Sequence, residues 1–190
     1  MDEQEVALIV GAGSGLSASL ARTFSDQGMK IALAARNTEK LTNIAVETGA
    51  KIFCCDASNL EQVNNLFSTV VTELGTPNVV VFNASARVRG AITDINPDDV
   101  KEALLISSYG GFLVGQAAAK LMVPKNRGTI FFTGASAGVK GFPMSATFAM
   151  GKFGLRGLAQ SMARELHPQN IHVVHVVVDG GSRSAEKNRI

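Results

Sequence analysis

The segment Val10-Gly11-Ala12-Gly13-Ser14-Gly15-Leu16-Ser17 joins a short apolar run to a helical stretch, and its residue types suit one kind of chemistry. Glycine lets the backbone turn tightly and approach a bulky anion. The helix opening behind the turn offers free N–H groups and a partial positive charge. Such a turn cradles a diphosphate, so Gly11, Gly13, Ser14, Gly15 and Leu16 are expected to hold the pyrophosphate of a dinucleotide. Gly11 and Gly13 fill the first two places of the Gly-x-Gly-x-x-Gly pattern, and Leu16 stands at the third. A purely structural turn is the competing reading.

The second chemical signal lies at the end of the second apolar run, Ala34-Ala35-Arg36-Asn37. An acid there would bind a ribose 2′-hydroxyl and repel a 2′-phosphate. Arg36 instead can pair with a phosphate and stack on an adenine face, with Asn37 beside it, which favours NADP(H). Asp56, followed by Ala57, is placed to accept a hydrogen bond from an adenine amino group or, alternatively, to cap the next turn. His167, His172 and His175 have no cysteine or carboxylate partners at ligand spacing, so no metal site is expected.

These residues need a scaffold, and the apolar periodicity supplies one. Strands are predicted at 6–10, 30–35, 52–55, 79–82, 129–133 and 171–178, with helices between them. The helices span 15–27 with Gly28 as the stop, 38–48 capped by Thr38, and 58–74 opened by a Ser58/Glu61 capping box and stopped by Gly75. Asn96-Pro97-Asp98-Asp99 starts a helix running to about Met122, and a long helix covers 145–166. Uniformly apolar strands separated by helices imply an α/β fold, a Rossmann-like doubly wound parallel sheet with helices on both faces. Residues 1–181 are read as one dinucleotide-binding domain and 182–190 as a polar tail.

Composition narrows the class. The chain has 190 residues, is 46% hydrophobic and carries a net charge of +2 with no dense basic run, so nucleic acid is not a predicted partner. No apolar run is long enough to span a bilayer, so no membrane partner is predicted. The opening Met1-Asp2-Glu3-Gln4-Glu5 is unlike a secretory signal. The two cysteines, Cys54 and Cys55, are adjacent on an apparent buried strand and would point to opposite faces, so a reduced, cytoplasmic setting is expected.

Taken together the chain resembles the short-chain dehydrogenase/reductase family over essentially its whole length. Gly11-Ala12-Gly13-Ser14-Gly15-Leu16-Ser17 is similar to the family's Gly-x-x-x-Gly-x-Gly loop, with Ser17 in place of the last glycine. Asn83-Ala84-Ser85-Ala86 is similar to its Asn-Asn-Ala-Gly segment, which places Asn83 and Ala84 against the cofactor. Val177-Val178-Asp179-Gly180-Gly181 is similar to its Pro-Gly segment. The family's catalytic Asn, Ser, Tyr and Lys fall on Ser107, on Ala135 or Ser136, on Phe148 and on Lys152.

Only the lysine is plainly kept, and a phenylalanine cannot move a proton. Lys152 would bind the nicotinamide ribose. Ser136 and Tyr109 are candidate hydroxyls for the missing one, with Ser145 and Thr147 nearby. Tyr109 alternatively serves the helix surface or a dimer contact. The family continues past the last strand into a substrate-covering loop, a helix and a final strand, whereas this sequence stops at Ile190.

The resemblance implies an NADP(H)-dependent oxidoreductase that moves a hydride to or from a small-molecule carbonyl, hydroxyl or activated double bond. The alternative is a catalytically impaired NADP(H)-binding sensor or dimeric scaffold. A homodimer is implied through the two long helices, which carry Leu104, Leu105, Phe112 and Leu113, and Phe153, Leu158, Met162 and Leu166.

Overall fold

The computed structural model describes residues 4–179. Gly180, Gly181 and the tail at 182–190 lie outside them. Six strands form one sheet: β1 (Val6–Val10), β2 (Lys30–Ala35), β3 (Lys51–Cys54), β4 (Val79–Phe82), β5 (Gly128–Ala135) and β6 (Ile171–Val178). They run in the order β3-β2-β1-β4-β5-β6, and every pairing is parallel. The order reverses between β1 and β4, where Val10 pairs with Phe82 at the carboxyl ends of both strands. In a doubly wound sheet that reversal opens a crevice for a ligand.

Helices cover both faces, as the uniformly apolar strands require. On one face Leu8, Val10, Phe82 and Phe132 pack against α3 (Leu60–Glu73), α5 (Gly110–Met122) and α6 (Ala146–Leu166) through Val63, Leu66, Val114 and Leu155. On the other, Ile9, Leu33 and Val81 meet Ala18 and Ala21 of α1 (Leu16–Asp26), Leu41, and Ile44 of α2 (Thr42–Thr48). Each fully buried Leu, Ile or Phe contributes about 1.5–3 kcal/mol by leaving water, so these two layers hold the sheet.

Four local expectations are corrected. The third helix starts at Leu60, not Ser58. Asn59 is its N-cap and accepts from the Gln62 N–H at 3.0 Å, while the Ser58 hydroxyl turns back to Asp56. Thr38 makes no capping bond. The Asn37 side chain accepts from the Glu39 N–H at 3.1 Å, and a 3₁₀ turn over Glu39–Leu41 precedes α2. Only Cys55 of the two cysteines is buried; Cys54 is exposed and Cys55 lies just past the end of β3.

The fourth concerns the helix after Asn96. It begins as predicted, with the Asn96 side chain accepting from the Asp98 N–H at 2.9 Å and Pro97 in its first turn. It is not one continuous α-helix, because a π-turn at Leu105–Tyr109 separates α4 (Pro97–Leu104) from α5. The added residue changes which side chains face the sheet, and such bulges concentrate at functional sites.

Candidate active-site cleft

The glycine turn sits at the crevice and is clamped from both sides. The Gly11 and Ala12 N–H groups both donate to the Ala34 carbonyl at 2.9 Å, tying the turn to β2. From β4, the Asn83 amide donates to the Gly11 carbonyl at 3.2 Å and to the Ser17 hydroxyl at 2.9 Å. The serine that replaces a glycine in the loop pattern thus locks the turn to β4. Gly11 has φ +80°, and a Cβ there would collide with the Ala84 backbone, so only glycine fits.

Gly13 differs, because a Cβ on it would meet nothing within 4 Å. Open space lies above it. Gly15 opens α1 with no side-chain cap, and the first bonds into the helix are Ala18 N–H and Ser19 N–H to the Gly15 carbonyl. The Leu16 and Ser17 N–H groups therefore have no acceptor within the helix. Unspent donors facing open space fit a diphosphate. Ser14 is exposed and lines neither of the two hollows beside the turn.

The larger hollow is a cleft of about 880 Å³. Gly13, Gly15 and Leu16 form one wall, and Ser136, Phe148 and Lys152 another. Ser136 follows β5 directly, at the start of a 3₁₀ turn over Ser136–Gly138, so both it and Ala135 line the cleft. Ser145 lines it too. Thr147, two residues on, is buried, and its hydroxyl has no partner among the described residues.

Lys152 is 3% exposed. Its ammonium donates to the Thr133 carbonyl at 2.6 Å and lies 5.7 Å from the centre of the Phe148 ring. Burial pushes its pKa down to about 8. On β6, the His175 imidazole is also pushed down, by burial first and then by the charges of Arg156 and Lys152, so it stays neutral at pH 7.

Two predicted hydroxyls are not in this cleft. Ser107, in the π-turn, is 2% exposed and lines neither hollow. Its Oγ accepts from the Ala86 N–H at 3.0 Å, so it braces the segment after β4 instead of facing a substrate. Tyr109 is 41% exposed, stacks on Phe112 with ring centres 6.4 Å apart, and borders a separate apolar hollow with Leu105 and Met150. The helical rotation between the two residues separates them, and neither side chain reaches Lys152.

The smaller hollow, about 240 Å³, joins Arg36, Asn37, Asp56, Ala57, Asn83 and Ala84 to Gly11, as the sequence suggested, and adds Lys40. Two of these side chains are already engaged. Asn37 caps the next turn, and Asp56 Oδ1 accepts from both the N–H and the hydroxyl of Ser58, at 2.9 and 2.7 Å. Burial raises the Asp56 pKa, but the two Ser58 bonds and the charge of Arg36 outweigh it and hold the carboxyl below the usual range. Arg36 and Lys40 are both exposed at the rim. The set suits the adenosine end of a dinucleotide.

Sequence reasoning missed Lys40, Ser85, Arg87 and Arg89. Lys40 stands four residues after Arg36, on the turn that follows β2. Asn83, Ser85, Arg87 and Arg89 alternate along a segment without regular secondary structure and all line the large cleft. Period two is an extended-chain signal, legible once the segment is known to leave a strand end. Among the described residues no helix is long and apolar enough to cross a membrane, and no three His, Cys, Asp or Glu cluster.

Comparison with known proteins supports the same layout. The profile of a family described as short chain dehydrogenase matches residues 5–185. A short-chain dehydrogenase from Rhodopseudomonas palustris has a solved structure that superposes with a TM-score of 0.86 at 35% identity, covering 91% of this chain and 84% of that one. A variant of actinorhodin polyketide ketoreductase, solved with NADPH, gives a TM-score of 0.89 at 26% identity over 93% of this chain and 70% of that one. A (21S)-21-acetoxyl-apo-melianone synthase from Melia azedarach is 32% identical over 175 residues, 90% of this chain. This chain spans only 65% of that relative's length.

Proposed function

The chain belongs to the short-chain dehydrogenase family, a family of nicotinamide-dependent oxidoreductases, and we propose that it transfers a hydride between NADP(H) and a carbonyl, hydroxyl or activated double bond. One observation carries this reading. The glycine turn and Lys152 line a single cleft at the strand-order reversal. The choice of NADP(H) rests on Arg36 and Lys40 beside the smaller hollow, and the ketoreductase solved with NADPH supports it. A bound nicotinamide supplies the hydride.

The chain's residues bind, orient and handle the proton. The turn at Gly13–Leu16 would hold the diphosphate, and Arg36 with Lys40 the 2′-phosphate. Ser136 offers a hydroxyl to a substrate oxygen. Phe148 donates nothing. Lys152 spends one of its three N–H donors on Thr133 and keeps two. With a pKa near 8 it is protonated at neutral pH and close enough to the working pH to give up a proton, so it takes the acid role that a phenol would fill. An enone needs still less help, because water can protonate its enolate.

Phe148 favours one further reading, an NADP(H)-binding sensor or scaffold that has lost turnover. Dimerisation suits both. Leu105, Phe112 and Phe153 are 39–46% exposed on the two long helices. Leu113 and Leu166 belong to the core instead, and Leu158 and Met162 pack against it.

Titration with NADPH and NADH, then NADPH consumption against ketones, quinones and enones, tests the proposal. Binding of NADPH with turnover supports it. Binding with no turnover on any substrate moves the conclusion to the sensor. Failure of both nucleotides to bind sinks both.

A further inference from the structure

Resting on the hydride-transfer reading, we infer that Arg87 and Arg89 form an anion-recognising wall of the large cleft, so that the substrate carries a carboxylate or phosphate besides its reducible group. The segment from Asn83 to Arg89 turns Asn83, Ser85, Arg87 and Arg89 towards the cleft. It is fixed at three points. Asn83 is bonded to the glycine turn, the Ala86 N–H to Ser107 Oγ, and the Gly90 N–H to the Met144 carbonyl at 3.3 Å. The arginines are therefore held on a braced strip.

The charge balance of the cleft is one-sided. Its lining includes Arg87, Arg89 and Lys152 and no Asp or Glu. Among the described residues neither arginine pairs with a carboxylate. Uncompensated cations in a concave site focus a positive potential and draw an anion in. The guanidinium carbon of Arg87 lies 5.2 Å from the centre of the Phe148 ring. Contact with the ring restrains the guanidinium while its N–H edge stays available for a bidentate bond to a carboxylate or phosphate.

Two anions could answer this wall, one on the substrate and one on the dinucleotide. Arg87 sits against Phe148, the ring that Lys152 also approaches, whereas the unspent helix donors of the turn already answer the diphosphate. The substrate is the better match.

The test is calorimetric titration of the NADPH-loaded protein with three keto acids and their methyl esters, levulinate and methyl levulinate among them. The acids are expected to bind at least about ten-fold tighter than the esters. In the double variant R87M/R89M, checked for folding by its thermal melt, that preference should vanish while NADPH affinity changes less than about two-fold. Equal affinity of acid and ester, or no binding by any acid, overturns the inference. So does a parallel loss of NADPH affinity in the variant, which would assign the arginines to the dinucleotide. If NADPH itself does not bind, the hydride-transfer reading fails separately, and the same acid and ester titrations on the protein alone still decide the arginine wall.

Discussion

Replacing Lys152 with methionine gives the sharpest energetic test, because the side chain is buried and its charge is costly. Burial lowers the Lys152 pKa from 10.5 to about 8. At 1.36 kcal/mol per tenfold change, that gap corresponds to about 3 kcal/mol. The direction follows from proton counting. Between about pH 8 and 10.5 the unfolded chain holds the lysine proton and the folded chain has released it, so unfolding takes up a proton and stability rises with pH. Below pH 8 both states are protonated and the full penalty is present.

Methionine removes the charge at nearly constant volume. At pH 7 the variant K152M should therefore gain up to about 3 kcal/mol, less roughly 1–3 kcal/mol for the lost bond to the Thr133 carbonyl. The difference between the two proteins is the clean observable, since every other group is common to both. Urea melts of wild type and K152M from pH 7 to 10.5 should show the wild type gaining on the variant as pH rises. Parallel curves would refute the claim that Lys152 is buried as a strained cation. The same titration predicts that NADPH consumption falls as pH rises through about 8, as the proton donor is lost.

Other expectations are equally concrete. Arg36→Asp should shift nucleotide preference from NADPH towards NADH by about tenfold or more in titrations, and an unchanged preference would remove Arg36 from the site. Gly11→Ala should cost roughly 2–4 kcal/mol in urea melts and abolish NADPH binding, because a Cβ collides with Ala84 and φ is +80°. Phe112→Glu with Phe153→Glu should turn a dimer into a monomer on a sizing column without loss of fold, and a species already monomeric in the wild type would dismiss the helix interface. Phe148→Tyr should raise turnover of neutral ketones by up to ~10²–10⁴-fold while weakening the preference for acids over esters; an unchanged rate would place the bottleneck elsewhere.

Elements with strong local signals are readable from the sequence, and features set by distant packing are not. Strands β1, β2, β4 and β6 fall where their apolar runs place them, and Asn96-Pro97 opens its helix by a capping pattern that needs no tertiary help. Family membership also follows from the order of the motifs. Ser58 and Asn59 are both good caps, and the choice between them is settled by Asp56, which takes the serine. The π-turn at Leu105–Tyr109 is not legible locally, and the close approach of Gly110 to Ala57 and of Gly151 to Ser107 depends on distant packing. Within that turn Ser107 faces inward and Tyr109 outward. Arg87 and Arg89 look like ordinary solvated charges until the topology carries their segment along the cleft.

Phe148 and the arginine wall are one feature seen from two sides. A phenol at that position would have Lys152 and Arg87 near its ring, both cations, and both would favour its ionised form. A phenolate would then bind the guanidinium and take from the substrate the donors it needs. The phenyl ring interacts with either cation through its quadrupole alone, worth about 0.5–1 kcal/mol at an accessible site. That is enough to orient Arg87 and too little to neutralise it. On the proposed reading, phenylalanine at this position keeps the positive potential of the cleft intact, and Lys152, the proton donor assigned by that reading, is itself part of that potential. Chemistry that needs a strong acid on a neutral ketone is disfavoured by this arrangement. Chemistry on an anionic substrate, whose developing negative charge meets three cations, is favoured.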